Sequence, residues 1–387
     1  METNKKKIYA DCAATSPLSE RALAAAMPFL TESFGNAGSV HSLGMRSARA
    51  VFDARNKIAA LLGAGAEEIF FTSGGSESDN WAIRSAAALG AKNGKRHIVT
   101  SAAEHHAVLN TCKYLEQNGC EVTYLPPDSE GRVSSESVAN ALREDTALVS
   151  VMYANNEVGT VNPVGEIAEL CRSRGVLFHT DAVQAVGHEQ IDVSTLGADM
   201  LSFSGHKFGA MKGIGGLYVR KGLKLPPLIF GGAQESGLRA GTENVPGIVS
   251  MAAALEESLE ELEPKNTRLA SLRDRITEDL LLIPDSRLNG SRTERLAGNI
   301  NISFAGVESE SLILMLDIKG IQASGGSACT SHSPDPSHVL LSMGVDRALA
   351  SGSLRLSLHP SLTEDEADRI INAVTETVAM LRANMQR

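Results

Sequence analysis

The chain has 387 residues, too many for one small core and enough for a large domain with a smaller one beside it. Aromatic residues make up only 4% while Ala, Gly and Leu abound, which suits helices packed closely on a sheet and disfavours a β-sandwich. A formal charge of −10 argues against a general nucleic-acid binder or a polybasic membrane surface, and leaves a small-molecule ligand as the expectation.

The five cysteines, Cys12, Cys112, Cys120, Cys171 and Cys329, form no C-x-x-C and are odd in number. Neither a disulfide framework nor a structural zinc site is expected, and a reducing cytoplasm is. The charged run 1–7 is interrupted by Ile8-Tyr9-Ala10-Asp11 before any apolar core forms, unlike a signal peptide. No apolar run approaches membrane-spanning length.

In chain order, 19–30 and 42–62 read as amphipathic helices, the second with Val51, Ile58 and Leu62 on one face and Gly63 as its stop. Residues 69–72 are strand-like and run into Ser73-Gly74-Gly75-Ser76-Glu77, after which 80–89 is helical. Strand, Gly/Ser turn and helix either aim backbone N–H groups at a phosphate or form an ordinary capping turn. From 97 to 219 strands (97–100, 121–125, 147–152, 176–179) alternate with helices (109–115, 136–142, 164–174), which predicts a mainly parallel sheet with its ligand outside the carboxyl ends of the strands. Ser76, His105, Asn156, Asp181 and Lys207 each lie just past a strand-like run, so one shared site is expected there. Residues 225–246 make a Gly-rich connection of a length that tends to be functional. Helical stretches broken at Pro264 then run through Leu282, followed by strands at 299–304, near Ile321 and at 354–358, and by helices at 311–316 and 364–381. The expected division is a large domain over 16–258, with 1–15 and 259–387 forming the small one.

Lys207 ends the run Ser202-Phe203-Ser204-Gly205-His206-Lys207, in a turn between the apolar stretches 198–201 and 216–219. An isolated loop lysine is ordinarily a solvated charge, whereas one in a stiff frame with small neighbours suits Schiff-base chemistry. Asp181, closing the preceding strand-like run, decides for the second reading. A carboxylate at a pyridinium nitrogen and a lysine at an aldehyde carbon are the two anchors of pyridoxal phosphate. The adjacent His105 and His106 diverge around a helix and share no metal face, so no metal site is expected and His106 is expected on the helix surface. Cys329 lies in Ser324-Gly325-Gly326-Ser327-Ala328-Cys329, and Ser333-Pro334-Asp335-Pro336 follows; that composition resists regular structure and suits a reactive loop thiol. The other four cysteines read as core or helix residues. Arg355 alternates with apolar residues in 353–356, as a sheet-surface charge or a carboxylate clamp would.

EHHAVL (104–109), NNEVG (155–159), HTDAVQAVG (179–187), SFSGHK (202–207), RAGT (239–242) and SGGSACTS (324–331) together resemble the cysteine desulfurases of the NifS/IscS type, in family order over nearly the whole chain. The resemblance implies an α/β protein of pyridoxal-phosphate fold type I, with a mainly parallel sheet flanked by helices in the large domain and an α+β small domain. It implies Lys207 as Schiff-base lysine and α-proton base, Asp181 at the ring nitrogen, Gln184 at the ring hydroxyl, and His105 stacked on the ring and available for proton transfer. Gly75, Ser76, Ser204 and His206 match the phosphate cradle, completed by Thr242 from the other subunit of a homodimer. Ser76 stands where the family often has Thr and keeps the hydroxyl. Asn156 matches a cofactor- and substrate-contacting residue, Arg355 the clamp on the substrate carboxylate, with Arg239 a weaker candidate, and Cys329 the residue that receives sulfur as a persulfide.

The implied reaction converts L-cysteine to L-alanine and passes sulfur to an acceptor protein, an iron–sulfur scaffold or another user of sulfur in cofactor synthesis. Transamination and selenocysteine cleavage are alternatives on the same scaffold. A non-enzymatic sulfur carrier would need Cys329 but neither Asp181 nor Lys207.

Overall fold

The computed structural model describes residues 7–326 and 336–385. Strand β1 (Ile8–Tyr9) precedes helices α1 (Glu20–Thr31) and α2 (Ser42–Leu61). Ser19 caps α1 by accepting from the Ala22 N–H at 3.0 Å, and α2 ends before Gly63, whose φ of +68° disfavours a side chain. Next come β2 (Ile69–Thr72), α3 (Gly75–Ala91), β3 (His97–Ser101), α4 (His106–Gln117), β4 (Glu121–Leu125), α5 (Ser135–Ala141), β5 (Thr146–Ser150), α6 (Val164–Ser173) and β6 (Leu177–Asp181). A single turn α7 (Val193–Leu196) leads to β7 (Met200–Ser204), and β8 (Gly215–Val219) returns beside it. The remainder comprises α8 (Val245–Leu259), α9 (Leu262–Leu281), β9 (Ser286–Leu288), β10 (Asn299–Phe304), α10 (Ser309–Ile318), β11 (Ile321–Gln322), α11 (His338–Ser342), α12 (Arg347–Ala350), β12 (Ser353–Ser357) and α13 (Glu364–Met385).

Seven strands form the main sheet in the order β2-β8-β7-β6-β5-β3-β4. Only β8 runs against its neighbours; the others are parallel. Every residue of β3, β5, β7 and β8 is buried, as expected for strands covered by helices on both faces. A second, antiparallel sheet has the order β12-β10-β9, and β1 pairs in parallel with β11. Ile8 and Ala10 join the core of Leu272, Ile302, Leu356 and Val374, so the N-terminal segment packs with the last third of the chain. Each Ile, Leu or Val side chain among them contributes about 1.5–3 kcal/mol on full burial.

Two elements differ from the sequence reading in ways that matter. Helix α3 begins at Gly75 rather than near Asn80, which makes Gly75 and Ser76 its first turn. The helix break falls at Glu260 and Glu261, the latter at φ +51°, and not at Pro264. Pro264 sits in the first turn of α9, where its missing N–H would have had no helical acceptor. Strand β1 and helices α11 and α12 are too short to show a period and were not legible. Among the described residues, no helix is long and apolar enough to cross a membrane.

Candidate active site

The site lies at the carboxyl ends of β6 and β7, where Asp181 closes one strand and Ser204 the other. The chain then turns through a single 3-10 turn, Gly205–Lys207, before β8 comes back. Lys207 is held at both ends. Its Nζ donates to the carbonyls of Ala13 at 2.6 Å and Ala14 at 3.0 Å, while its own carbonyl accepts from the Ser16 hydroxyl at 2.6 Å and lies 3.1 Å from His188 Nε2. Glycine is required where α3 meets this corner. A Cβ on Gly75 would stand 2.5 Å from Val183 Cγ2, and one on Gly215 would stand 2.6 Å from Gly74 Cα. The close approach aims the amino end of α3 into the site, and a helix amino end carries N–H groups without helical acceptors and a partial positive charge.

These elements enclose a cavity of about 210 Å³. Gly75, Ser76, Ser204 and His206 line one part of it, and His105, Asp181, Gln184 and Lys207 another. Asn156 and Arg355 complete the set of sequence-predicted residues found there. His105 is the N-cap of α4, and its Nδ1 accepts from the Ala107 N–H at 3.1 Å, which leaves the proton of a neutral ring on Nε2. Gln184 donates from Nε2 to the Ala13 carbonyl at 3.0 Å. His206 lies 3.2 Å from Thr15 Oγ1, and burial, with the charges of Lys207 and Lys212, pushes it down to about 4.

Asp181 is 5% exposed. Burial pushes its carboxyl up; His105, the Val183 N–H at 2.9 Å and Lys207 oppose that. A buried carboxylate is costly unless a cation meets it, and a protonated ring nitrogen is such a cation. Asp79 was missed by the sequence reading and also lines the cavity, 1% exposed, with Oδ1 lacking a hydrogen-bond partner. It follows Ser76 by three positions on α3, so the same helical face carries both; that spacing was the available signal. Together, a helix amino end with serine hydroxyls, a buried carboxylate and a framed lysine fit pyridoxal phosphate.

Arg355 is not a sheet-surface charge. It is 1% exposed on β12, donating from Nη2 to Asp11 Oδ1 at 2.7 Å and from Nη1 to the Asn156 carbonyl at 3.0 Å; its Nε–H has no partner. Cys329 lies outside the described residues. The chain on either side of it is tied close to this site. Ser324 exchanges backbone hydrogen bonds with Arg355, and Ser353 donates to the Gly325 carbonyl at 2.6 Å. Beyond the segment, Ser337 donates to Glu157, and His338 Nε2 lies 3.0 Å from the Glu104 carbonyl.

The remaining expectations divide. His106 is half-buried instead of fully on the surface: its ring packs on His338 with centroids 4.6 Å apart, and its Nε2 is buried without a partner among the described residues. Arg239 pairs with Glu77 at 2.8 Å and lines a separate pocket, so it is no carboxylate clamp within this chain. Thr242 is exposed and outside the cavity of its own chain. Asn155 organises its turn, its Oδ1 accepting from the N–H groups of Glu157 and Val158 at 2.8 and 3.0 Å. Cys12, Cys112 and Cys171 are buried, and burial pushes each thiol up to about 12; partly buried Cys120 is raised in the same way.

Residues 8–370 match the family described as Aminotransferase class-V. A protein of Methanosarcina thermophila named "Cysteine desulfurase IscS" is 52% identical over 99% of this chain and 94% of its own length. A Clostridium botulinum protein of the same name is 47% identical over 97% of this chain and 96% of its own. Among solved structures, a "NIFS-LIKE PROTEIN" superposes with a TM-score of 0.91 at 38% identity, covering 97% of this chain and 100% of the other. One described as "SspA in complex with cysteine" gives 0.80 at 37% identity over 92% and 100%. With its fold type I architecture, the chain belongs to the class-V aminotransferase family and, within it, to the pyridoxal-phosphate-dependent cysteine desulfurases.

Proposed function

We propose that the chain takes sulfur from L-cysteine, releases L-alanine and holds the sulfur as a persulfide on Cys329 before passing it to an acceptor protein. The observation that carries this reading is the convergence of Lys207, Asp181, His105 and Arg355 on one cavity beside the tethered ends of the Cys329 segment. The cysteine named with the related SspA supports the substrate class.

Pyridoxal phosphate, when bound, supplies an aldehyde carbon for the substrate amine and a ring that accepts the electrons released at the α-carbon. Asp181 would hold the proton on the ring nitrogen. The amino end of α3 with Gly75 and Ser76, together with Ser204 and His206, would hold the phosphate. Gln184 and Asn156 would hold the ring and its substituents, and His105 would supply a proton from Nε2. Arg355, already oriented by Asp11 and Asn156, takes the cysteine carboxylate with its remaining donors. Lys207 Nζ removes the α-proton. The Cys329 thiolate then attacks the substrate sulfur: an S–S bond forms, the Cβ–S bond breaks, and the electron pair left on carbon is protonated on the way to alanine.

A two-fold dimer would bring Thr242 to the partner's phosphate site. Thr242 lies on the same connection as Phe230 and Ile229, 84% and 40% exposed, and a second copy would cover that apolar surface. Sedimentation of a fully active monomer would contradict the dimer. The four described cysteines are unpaired, which supports a cytoplasmic setting. The acceptor is an iron–sulfur scaffold or another sulfur-using protein.

The test is to incubate the protein with L-cysteine and measure alanine and sulfide with and without a thiol reductant. Alanine formation that stalls without reductant and continues with sulfide release in its presence is expected; no alanine under either condition refutes the reading.

A further inference from the structure

Beneath the cavity lies a continuous buried polar network that the reaction as proposed does not use. Ser150 on β5 and His179 on β6 are register partners, and Asp181 pairs with Ser202 on β7. His179 Nδ1 meets Ser150 Oγ at 2.8 Å and its Nε2 meets Ser202 Oγ at 2.9 Å, with Asp79 Oδ1 3.6 Å from the same Nε2. Ser150, His179 and Ser202 are fully buried, and Asp79 is 1% exposed. Asp79, His105 and Asp181 present polar atoms within 4.8 Å of one another.

We propose that Asp79 is a positioning residue that keeps a proton facing Asp181, so that the cavity floor carries one negative charge instead of two and presents Asp181 as its only anion. The inference rests on the assignment of Asp181 to the ring nitrogen.

The two carboxyls have opposite surroundings. Asp181 accepts the Val183 N–H, and His105 and Lys207 both favour its charge. Around Asp79 the charged groups are of the wrong sign: Asp181 on β6 and Glu104 before α4 both push its carboxyl up, on top of burial, and only the Ser202 hydroxyl opposes them. His179 brings no compensating cation, because complete burial pushes it down to about 3 and keeps the ring neutral. Two buried carboxylates this close cannot both ionise without a cation between them, and the better-solvated member takes the charge. Asp79 is then a neutral acid, with its acid proton available to orient Asp181 and the His179–Ser202 pair to hold it in place.

The test uses holoenzyme carrying Asp79→Asn, Asp79→Ala or Asp181→Ala. Asparagine copies the shape and neutrality of a protonated aspartate, so Asp79→Asn should keep the pH midpoint of the cofactor's visible absorption within about 0.3 units, and the cofactor dissociation constant within about threefold. Asp79→Ala should weaken cofactor retention about tenfold or move that midpoint by about one unit. Infrared difference spectra of wild type against Asp79→Asn, near neutral pH, should show a protonated-carboxyl band that the variant lacks; this readout stands even if the alanine variant does not fold. A missing band, an Asp79→Asn midpoint displaced by about a unit or more, or an alanine variant indistinguishable from wild type overturns the inference. Failure of the parent assignment looks different: Asp181→Ala would then retain cofactor and spectrum whatever Asp79 does.

Discussion

Arg355 and Asp11, 344 residues apart in the chain, form a 2.7 Å ion pair that fixes the only arginine lining the cavity among the described residues. The pair joins β12 to the N-terminal segment, and the Arg355 Nη1 bond to the Asn156 carbonyl ties both to the turn after β5. Hydrogen bonds to charged groups are worth about 1.5–3 kcal/mol, so Arg355→Lys, which keeps the charge but loses the planar fork, should lower kcat/KM for L-cysteine about 10–100-fold, mainly through KM. Asp11→Asn should raise KM less. Steady-state kinetics with L-cysteine check this; an unchanged KM in Arg355→Lys contradicts the clamp.

Lys207→Ala should abolish alanine formation, since both the covalent anchor and the α-proton base are lost. Borohydride treatment of the wild type followed by peptide mapping should find the cofactor on Lys207. A modified peptide carrying any other lysine rules out the assignment.

The anchor residues were legible because each lies past a strand in a parallel repeat, where chain order alone predicts convergence. What supports them was not. Ala13 and Ala14 hold Lys207 through backbone carbonyls, which carry no side-chain signature, and Asp11 reaches Arg355 only because β1 pairs with β11 far along the chain. His106 looked exposed because its partner, His338, lies 232 positions away on a helix of five residues, too short to show a period. Proline drew attention to 264 although the chain bends at Glu261, because α9 starts before Pro264 and tolerates it in its first turn.

Gly75→Ala should damage both fold and cofactor binding. Its Cβ would meet Val183 Cγ2 at 2.5 Å, on a β-branched side chain with little room to turn, and overpacking of this kind costs about 1–3 kcal/mol. Thermal melts of the apoprotein and a cofactor titration should both register the loss. A variant that matches the wild type in both would show that α3 does not press on this corner.

His179 makes stability depend on pH in a defined direction. Its ordinary value of 6.5 is depressed to about 3 by burial, so the native state holds it neutral while the unfolded chain protonates it below 6.5. Its contribution is complete above pH 6.5 and is lost as the pH falls toward its folded value. Relative to His179→Gln, the wild type should lose about 3 kcal/mol between pH 6.5 and 4, at about 1.4 kcal/mol per unit. Denaturant melts of both proteins across that range measure the difference; curves that stay parallel would mean that His179 protonates normally in the fold.

The central claim is that the sulfur leaving L-cysteine is received by Cys329 and by no other thiol. Burial holds Cys12, Cys112 and Cys171 protonated far above neutral pH, which makes them poor nucleophiles. The direct measurement is a single turnover with L-cysteine, followed by alkylation and mass mapping of every cysteine peptide. One extra sulfur on Cys329 is expected, with alanine in equal amount, and background alanine from a Cys329→Ser variant that still binds pyridoxal phosphate. Extra sulfur on another cysteine, or normal desulfuration by Cys329→Ser, would contradict it.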